Sequence, residues 1–157
     1  MGKKKMTPAL AALAAATMLA ALPAAAQATI VPGKSVKGVS LGDATTKVRQ
    51  VLGKPEAGSN MLNYRYIRRH GLGVYFVAGK ALEIMVTRAP QATRSGIRVG
   101  SSRTALTKAY PRAKCLPAVV GKNTFECRLP SRFKGRATET VFTTKRDKVA
   151  SIVVRFK

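Results

Sequence analysis

The feature that most constrains the fold is a short glycine-turn pattern that occurs twice. The stretches GVSLGDATTKVRQVLGKP (38–55) and GIRVGSSRTALTKAYPRAKC (96–115) both read apolar-x-apolar-Gly, followed by apolar residues at helical spacing. Asp43 and Ser101 follow the turn glycine directly and are good helix N-cap residues. A carboxylate in that place occupies the amides that a phosphate would need. The pattern therefore predicts a helix start and not an anion-binding loop.

Each of these stretches is followed by alternating apolar residues, which predict antiparallel hairpins. The predicted strands are 62–67, 74–77, 82–87, 124–129, 140–143 and 149–156. We therefore expect an α+β fold, a tandem repeat of a short helical segment plus a three-stranded antiparallel meander, in which the two sheets can be continuous. The first helix-plus-sheet repeat is placed at 29–92 and the second, with the disulfide, at 93–157. The polar residues 91–95 link them.

Strand periodicity predicts which side chains face the core. In each half of the chain, alternation places the apolar strand residues on the sheet face against which the predicted helix packs. The predicted core-facing residues are Val74, Phe76, Leu82, Ile84 and Val86 in the first half, and Phe142, Ala150, Ile152, Val154 and Phe156 in the second.

The first 28 residues have the composition of a secretory signal peptide. Lys3, Lys4 and Lys5 form a basic start, residues 9–22 are rich in Ala and Leu, and Ala26-Gln27-Ala28 is a small-x-small cleavage signal. The apolar run is too short for a membrane span. We expect cleavage after Ala28 and a secreted or periplasmic protein.

Export determines how the two cysteines are interpreted. In an oxidising compartment Cys115 and Cys127 are expected to form a structural disulfide. The single histidine leaves too few ligands for a zinc site. We expect no metal and no cofactor.

The charge of the chain is strongly positive. Removing residues 1–28 leaves 26 basic and 6 acidic residues, a net charge of +20. Such a charge favours attraction to polyanions. Candidate partners are an acidic protein or an envelope polyanion, such as lipopolysaccharide, teichoic acid or anionic lipid. Nucleic acid is a poor physiological target for an exported chain, and a diffuse basic surface without a specific site is the alternative.

A resemblance to a known family follows from the first repeat. The pattern Gly-x-x-Leu-Gly-Asp-x-x-x-x-Val-x-x-x-Leu-Gly-x-Pro (38–55), with Tyr-x-Tyr (64–66) and Gly-Leu-x-Val-x-Phe-x-x-Gly-Lys (71–80), resembles the SmpA/OmlA-type domain. That domain occurs in the small lipoprotein subunit of the outer-membrane barrel-assembly machine. The tandem arrangement is similar to that of beta-lactamase inhibitory proteins. The resemblance implies a non-enzymatic extracytoplasmic binding protein that uses exposed sheet surface, although the chain has no cysteine for a lipid anchor before Cys115.

Candidate sites lie on the strand face opposite the predicted core. Arginine, tyrosine and methionine are enriched in protein interfaces. The candidate partner-binding residues are Arg65, Ile67, Tyr75, Met85, Val153 and Arg155. The same face could instead pack on the other repeat or on a second protomer, so the oligomeric state stays open, as does peripheral contact with membrane or cell wall. His70 is read as an exposed turn residue without a flanking acid or nucleophile, and no enzymatic activity is expected.

Overall fold

The computed structural model describes residues 29–157, so the predicted signal peptide and its cleavage site lie outside the described residues. The chain forms short strands first and long strands last, with its helices between them. In chain order the elements are β1 (Ile30–Val31), β2 (Ser35–Val36), β3 (Val39–Ser40), α1 (Thr45–Leu52), β4 (Asn63–Tyr66), α2 (Ile67–His70), β5 (Leu72–Val77), β6 (Lys80–Val86), α3 (Arg103–Ala109), β7 (Lys114–Pro117), β8 (Thr124–Phe133), β9 (Arg136–Lys145) and β10 (Lys148–Phe156).

These strands form two antiparallel sheets. The small sheet has the order β1-β2-β3, and the large one has seven strands in the order β4-β5-β6-β10-β9-β8-β7. The pairing of β6 with β10 sets Met85 opposite Val153 and joins the two halves of the chain. One continuous sheet therefore crosses the whole molecule.

The predicted α+β tandem repeat is wrong, because the structure is mostly β. Strands make up 48% of it and helices 15%. The three helices have only eight, four and seven residues. Residues 114–117 add a seventh strand, and residues 30–40 form the separate small sheet. Within the predicted polar link, Gln91 and Thr93 are buried, whereas Arg94 and Ser95 are exposed.

The two glycine turns share a hydrogen bond that differs from the predicted cap. Asp43 does not cap α1, whose N-cap is Ala44 without a side-chain bond. The Asp43 carboxylate instead accepts the Ser40 backbone N–H at 2.8 Å. The Ser101 hydroxyl likewise accepts the Arg98 N–H at 3.1 Å. Both polar residues therefore close the turn behind them.

Backbone bonds then dock each turn on a hairpin. The Gly42 N–H donates to the Ala81 carbonyl at 2.7 Å, and the Gly100 N–H donates to the Val149 carbonyl at 2.8 Å. One residue further on, Ser102 caps α3 through its side chain. These bonds set the starts of α1 and α3 against the β5–β6 and β9–β10 hairpins respectively.

The core lies on one face of the large sheet and contains the apolar sides of α1, α3 and the small sheet. Val48 and Leu106 from the helices are fully buried in the same cluster as Phe76 and Phe142 from the sheet. Two predictions fail here, because β-bulges change the alternation of side chains. The register of β6 skips Leu82, and that of β10 skips Ala150, so both residues are exposed.

The predicted disulfide is confirmed. Cys115 on β7 lies opposite Cys127 on β8, with a Cα–Cα distance of 3.9 Å, and the two are bonded. A disulfide is consistent with an oxidising, extracytoplasmic location. Within residues 29–157, no helix combines the length and the apolar character needed to cross a bilayer.

Candidate functional site

The large sheet has one face that no described element covers, which we call the open face. The helices and the small sheet contribute their apolar residues to the cluster on the other side. Alternation along the strands then assigns the remaining side chains to the open face. On the five strands β5, β6, β10, β9 and β8 these include Tyr75, Glu83, Met85, Val153, Arg155, Glu139, Val141, Glu126 and Arg128.

An aliphatic row runs across the middle of the open face. Cross-strand pairing sets Met85 beside Val153 and Val153 beside Val141. Val141 is buried, yet it does not belong to the core cluster, because it faces away from the helices. Tyr75 lies in the next row, opposite Glu83, and is 49% exposed. The centre of the open face is therefore apolar with one exposed aromatic ring.

A row of ion pairs runs beside the aliphatic row. Arg155 lies between Glu83 and Glu139 across three adjacent strands. Its Nε and Nη2 atoms both donate to Glu139 Oε1, at 3.0 and 2.8 Å, and its Nη1 lies 3.7 Å from Glu83 Oε2. Glu139 is only 4% exposed. The charge of Arg155 is thus already balanced within the sheet.

A second arginine, on β8, extends these pairs toward the β7 edge of the sheet. Arg128 Nη2 lies 2.6 Å from Glu126 Oε2, and its Nη1 lies 3.9 Å from Glu139 Oε1. The hydrogen bond to Glu126, together with the charges of Glu126 and Glu139, raises the pKa of the Arg128 guanidinium. Three carboxylates and two arginines therefore form one nearly neutral network on the open face.

The cations that lack a carboxylate lie toward the edges of the open face. Arg65 is on β4 at one edge, and Lys114 is on β7 at the other. Arg132 lies near the end of β8, on the same side as Arg128. None of the three makes an ion pair with any residue from 29 to 157. The open face consequently has an apolar, charge-balanced centre and a basic rim.

The structure brings together five of the six predicted partner-binding residues. Alternation and pairing place Arg65, Tyr75, Met85, Val153 and Arg155 on the open face. Ile67 is not among them. It begins α2 instead of continuing the strand, and its carbonyl accepts a bond from an arginine side chain.

A bulge in β10 changes the membership of the open face in the second half of the chain. Strict alternation would put Val149 on the same face as Val153, but Val149 is buried in the core, because the bulge at Ala150 reverses the side chains that precede it. Pairing of Glu139 with a nearby Arg or Lys was expected, but its specific partners were not predicted. They are Arg128 and Arg155, on the two strands that flank β9 in the sheet.

Two observations concern the possible metal ligands and the single histidine of the chain. No group of three His, Cys, Asp or Glu side chains within residues 29–157 is arranged to hold a metal ion. His70 ends α2, which connects β4 to β5 in their hairpin, and its side chain is half-buried, whereas an exposed turn residue was expected. Its ring is 6.2 Å from that of Tyr66, and its carbonyl accepts the Gln91 side-chain amide at 2.7 Å. These contacts connect α2 to β4 and to the segment that follows β6.

Comparison with known proteins adds no family assignment. No protein-family model, curated protein or solved structure matches the chain. The resemblance to the SmpA/OmlA-type domain and to beta-lactamase inhibitory proteins stays a prediction.

Proposed function

We propose that this chain is an exported, non-enzymatic binding module that docks an acidic protein or enzyme on its open face. The observation that carries the proposal is a seven-stranded sheet with one face that no described element covers. Tyr75 is the exposed aromatic on that face, beside the partly buried Met85 and Val153. An aromatic ring next to flat aliphatic surface is a typical anchor of a protein interface.

The distribution of charge supports a partner with an acidic periphery. The centre of the open face is neutralised by its own ion pairs, whereas Arg65, Lys114 and Arg132 leave the rim positive. Rim charges act mainly on the rate of encounter and on partner choice. The apolar centre then supplies most of the affinity.

Export determines where the partner is found. We propose cleavage after Ala28 and a secreted or periplasmic location, which the disulfide supports. The partner is then an extracytoplasmic enzyme that the chain inhibits or a component of envelope assembly. Both roles use the same open face.

A substitution series tests the open face. Purified chain carrying Tyr75→Ala and Met85→Ala is compared with wild type for capture of partners from an envelope extract of its own host. Loss of two anchors lowers affinity about 30-fold or more. The control is Val51→Ala, since Val51 is a half-exposed apolar residue on α1, away from the open face. Unchanged capture by the double variant refutes docking through this face.

A second candidate function, envelope polyanion binding, is favoured by the unpaired charge. Only Arg103, Arg128 and Arg155 among the 26 basic residues form ion pairs within residues 29–157, which leaves 23 without a carboxylate partner there. Lipopolysaccharide, teichoic acid or anionic lipid would be bound chiefly by this charge. Such binding falls steeply with added salt, whereas an interface with an apolar centre keeps most of its affinity. A salt titration of the captured complex therefore separates the two functions.

A further inference from the structure

The tip of the β7–β8 hairpin is the most exposed apolar segment of the described chain. Val119 is fully exposed at 103%, Val120 is 83% exposed, and Leu116 at the base is also exposed. Single exposed apolar residues are ordinary on a protein surface. Adjacent valines at the end of a turn are a small apolar patch that points away from the protein.

The tip is held in place by its surroundings. The disulfide between Cys115 and Cys127 closes the base of the hairpin. The Ala118 N–H donates to the Thr124 carbonyl at 2.9 Å. The valines are thus presented on a preorganised turn, which reduces the ordering cost of any contact that they make.

Basic side chains surround this tip. Lys122 is in the tip itself, and Lys145 pairs with Thr124 at the start of β8. The Arg146 N–H donates to the Asn123 carbonyl at 3.1 Å, which fixes the β9–β10 turn beside the hairpin.

Local acids do not cancel this charge. Lys148 begins β10 directly after the β9–β10 turn, and all four cations around the tip are exposed. Asp147, the acid in that turn, is 2.8 Å from Arg103 Nη2 and so already has a partner. The tip therefore combines a protruding apolar end with a basic surround.

We propose that this hairpin tip is a membrane-docking site that inserts Val119 and Val120 into the surface of an anionic bilayer. Apolar side chains partition into the interfacial region, and nearby Lys and Arg contact the lipid phosphates. A bilayer of anionic lipid is complementary to both parts of the tip at once. The site is separate from the centre of the open face, and the inference does not rest on the proposed protein docking.

A second exposed apolar loop provides an internal control. Met61 and Leu62 are exposed just before β4, at the opposite edge of the sheet. Six strand spacings of about 4.8 Å separate the two edges by roughly 29 Å. Cross-strand pairing aligns the start of β4 with the middle of β8, well away from the β8 start at Thr124. A flat bilayer that contacts one loop does not reach the other.

The test uses the absence of tryptophan from the natural sequence. Val119→Trp and Met61→Trp each introduce a single fluorescent reporter into the chain from residue 29 onward, with its disulfide formed. Each is titrated with vesicles of phosphatidylcholine containing a minority of phosphatidylglycerol, and with pure phosphatidylcholine vesicles. The emission of Val119→Trp shifts to the blue only with the anionic vesicles, and brominated lipid quenches it. The emission of Met61→Trp does not change.

Vesicle co-sedimentation supplies the second measurement. The double variant Val119→Ser with Val120→Ser lowers partitioning onto anionic vesicles about tenfold. Lys122→Gln lowers it about fivefold. Absence of binding to anionic vesicles, an equal spectral shift at both reporters, or full binding by the double serine variant would each overturn the proposal. The last outcome would assign the binding to diffuse charge.

Discussion

The ion pairs on the open face allow a quantitative prediction for Arg155→Ala. Glu139 is nearly fully buried and accepts two bonds from Arg155, at 3.0 and 2.8 Å, while Arg128 lies 3.9 Å away. Removing one partner of a buried pair costs about 3–5 kcal/mol. The Arg155 side chain is 35% exposed, so water reaches the site, and Arg128 remains nearby. We therefore expect Arg155→Ala to lower the free energy of unfolding by about 2–3 kcal/mol.

Equilibrium unfolding in urea at neutral pH measures this loss. A double-mutant cycle with Glu139→Gln isolates the pair, and a coupling of about 1–2 kcal/mol is expected. Arg132→Ala is the matched control, because Arg132 lies on the same face without an ion pair in the described chain, and its effect stays within about 0.5 kcal/mol. A coupling near zero, or an Arg155→Ala as mild as the control, refutes the reasoning.

Three further predictions concern stability. Gly33→Ala is expected to lower the free energy of unfolding by at least about 2 kcal/mol in thermal or urea unfolding, because its φ is +68° and the added Cβ would overlap the side chain of Ser131 on β8. Gly42→Ala, where the added Cβ would meet no atom, loses only the backbone part of about 1 kcal/mol, and equal losses in the two variants would contradict this explanation. Replacing both Cys115 and Cys127 with Ala removes a link between residues 12 apart and lowers the unfolding free energy by about 3 kcal/mol. If the wild-type chain has the same unfolding midpoint in reducing and in oxidising buffer, the disulfide is not stabilising. Burial raises the pKa of the Tyr66 hydroxyl, so the neutral hydroxyl contributes stability that is fully present below the unfolded pKa of about 10 and is lost as pH rises through the folded value. Tyr66→Phe should therefore reduce the fall in unfolding free energy at alkaline pH. The same slope of unfolding free energy against pH in both proteins would contradict this assignment.

Local signals in the sequence predicted the local structure well. The predicted strands left short gaps at 78–81 and 144–148, and the structure has a turn in each, where Ala78, Gly79, Arg146 and Asp147 have positive φ. The helix predicted after the first glycine turn is present as α1 and ends at Gly53. These features depend on a few neighbouring residues, which specify them directly.

Features that depend on how two strands pair were not predictable in the same way. A β-bulge changes which face the residues beside it use, and nothing in the alternation of 82–86 or 149–156 marks Leu82 or Ala150 as the extra residue. The seventh strand, at 114–117, exists because its partner β8 lies beside it, and its own sequence has little strand character. The predicted fold class was wrong for the same reason, because the long paired strands, and not the short helices, make up most of the structure.

The candidate site shows the same division between periodicity within a strand and contacts between strands. Tyr75, Met85 and Val153 were placed on one face by periodicity alone, and the structure puts them there. The specific ion pairs that neutralise Arg155 were not predicted from periodicity, because Glu139 comes from a neighbouring strand and Glu83 from the other half of the chain. The sequence therefore predicted the surface but not its charge balance.

Site-specific photocrosslinking on the open face is the most direct test of the proposed function. A photoreactive aromatic residue replaces Met85 on the open face or, in a control protein, Val51 on α1. Each protein is irradiated in an envelope extract of its own host at moderate salt. We expect one discrete protein adduct from position 85 and none from position 51. The same adducts from both positions, or an adduct from position 51 alone, would contradict docking through the open face.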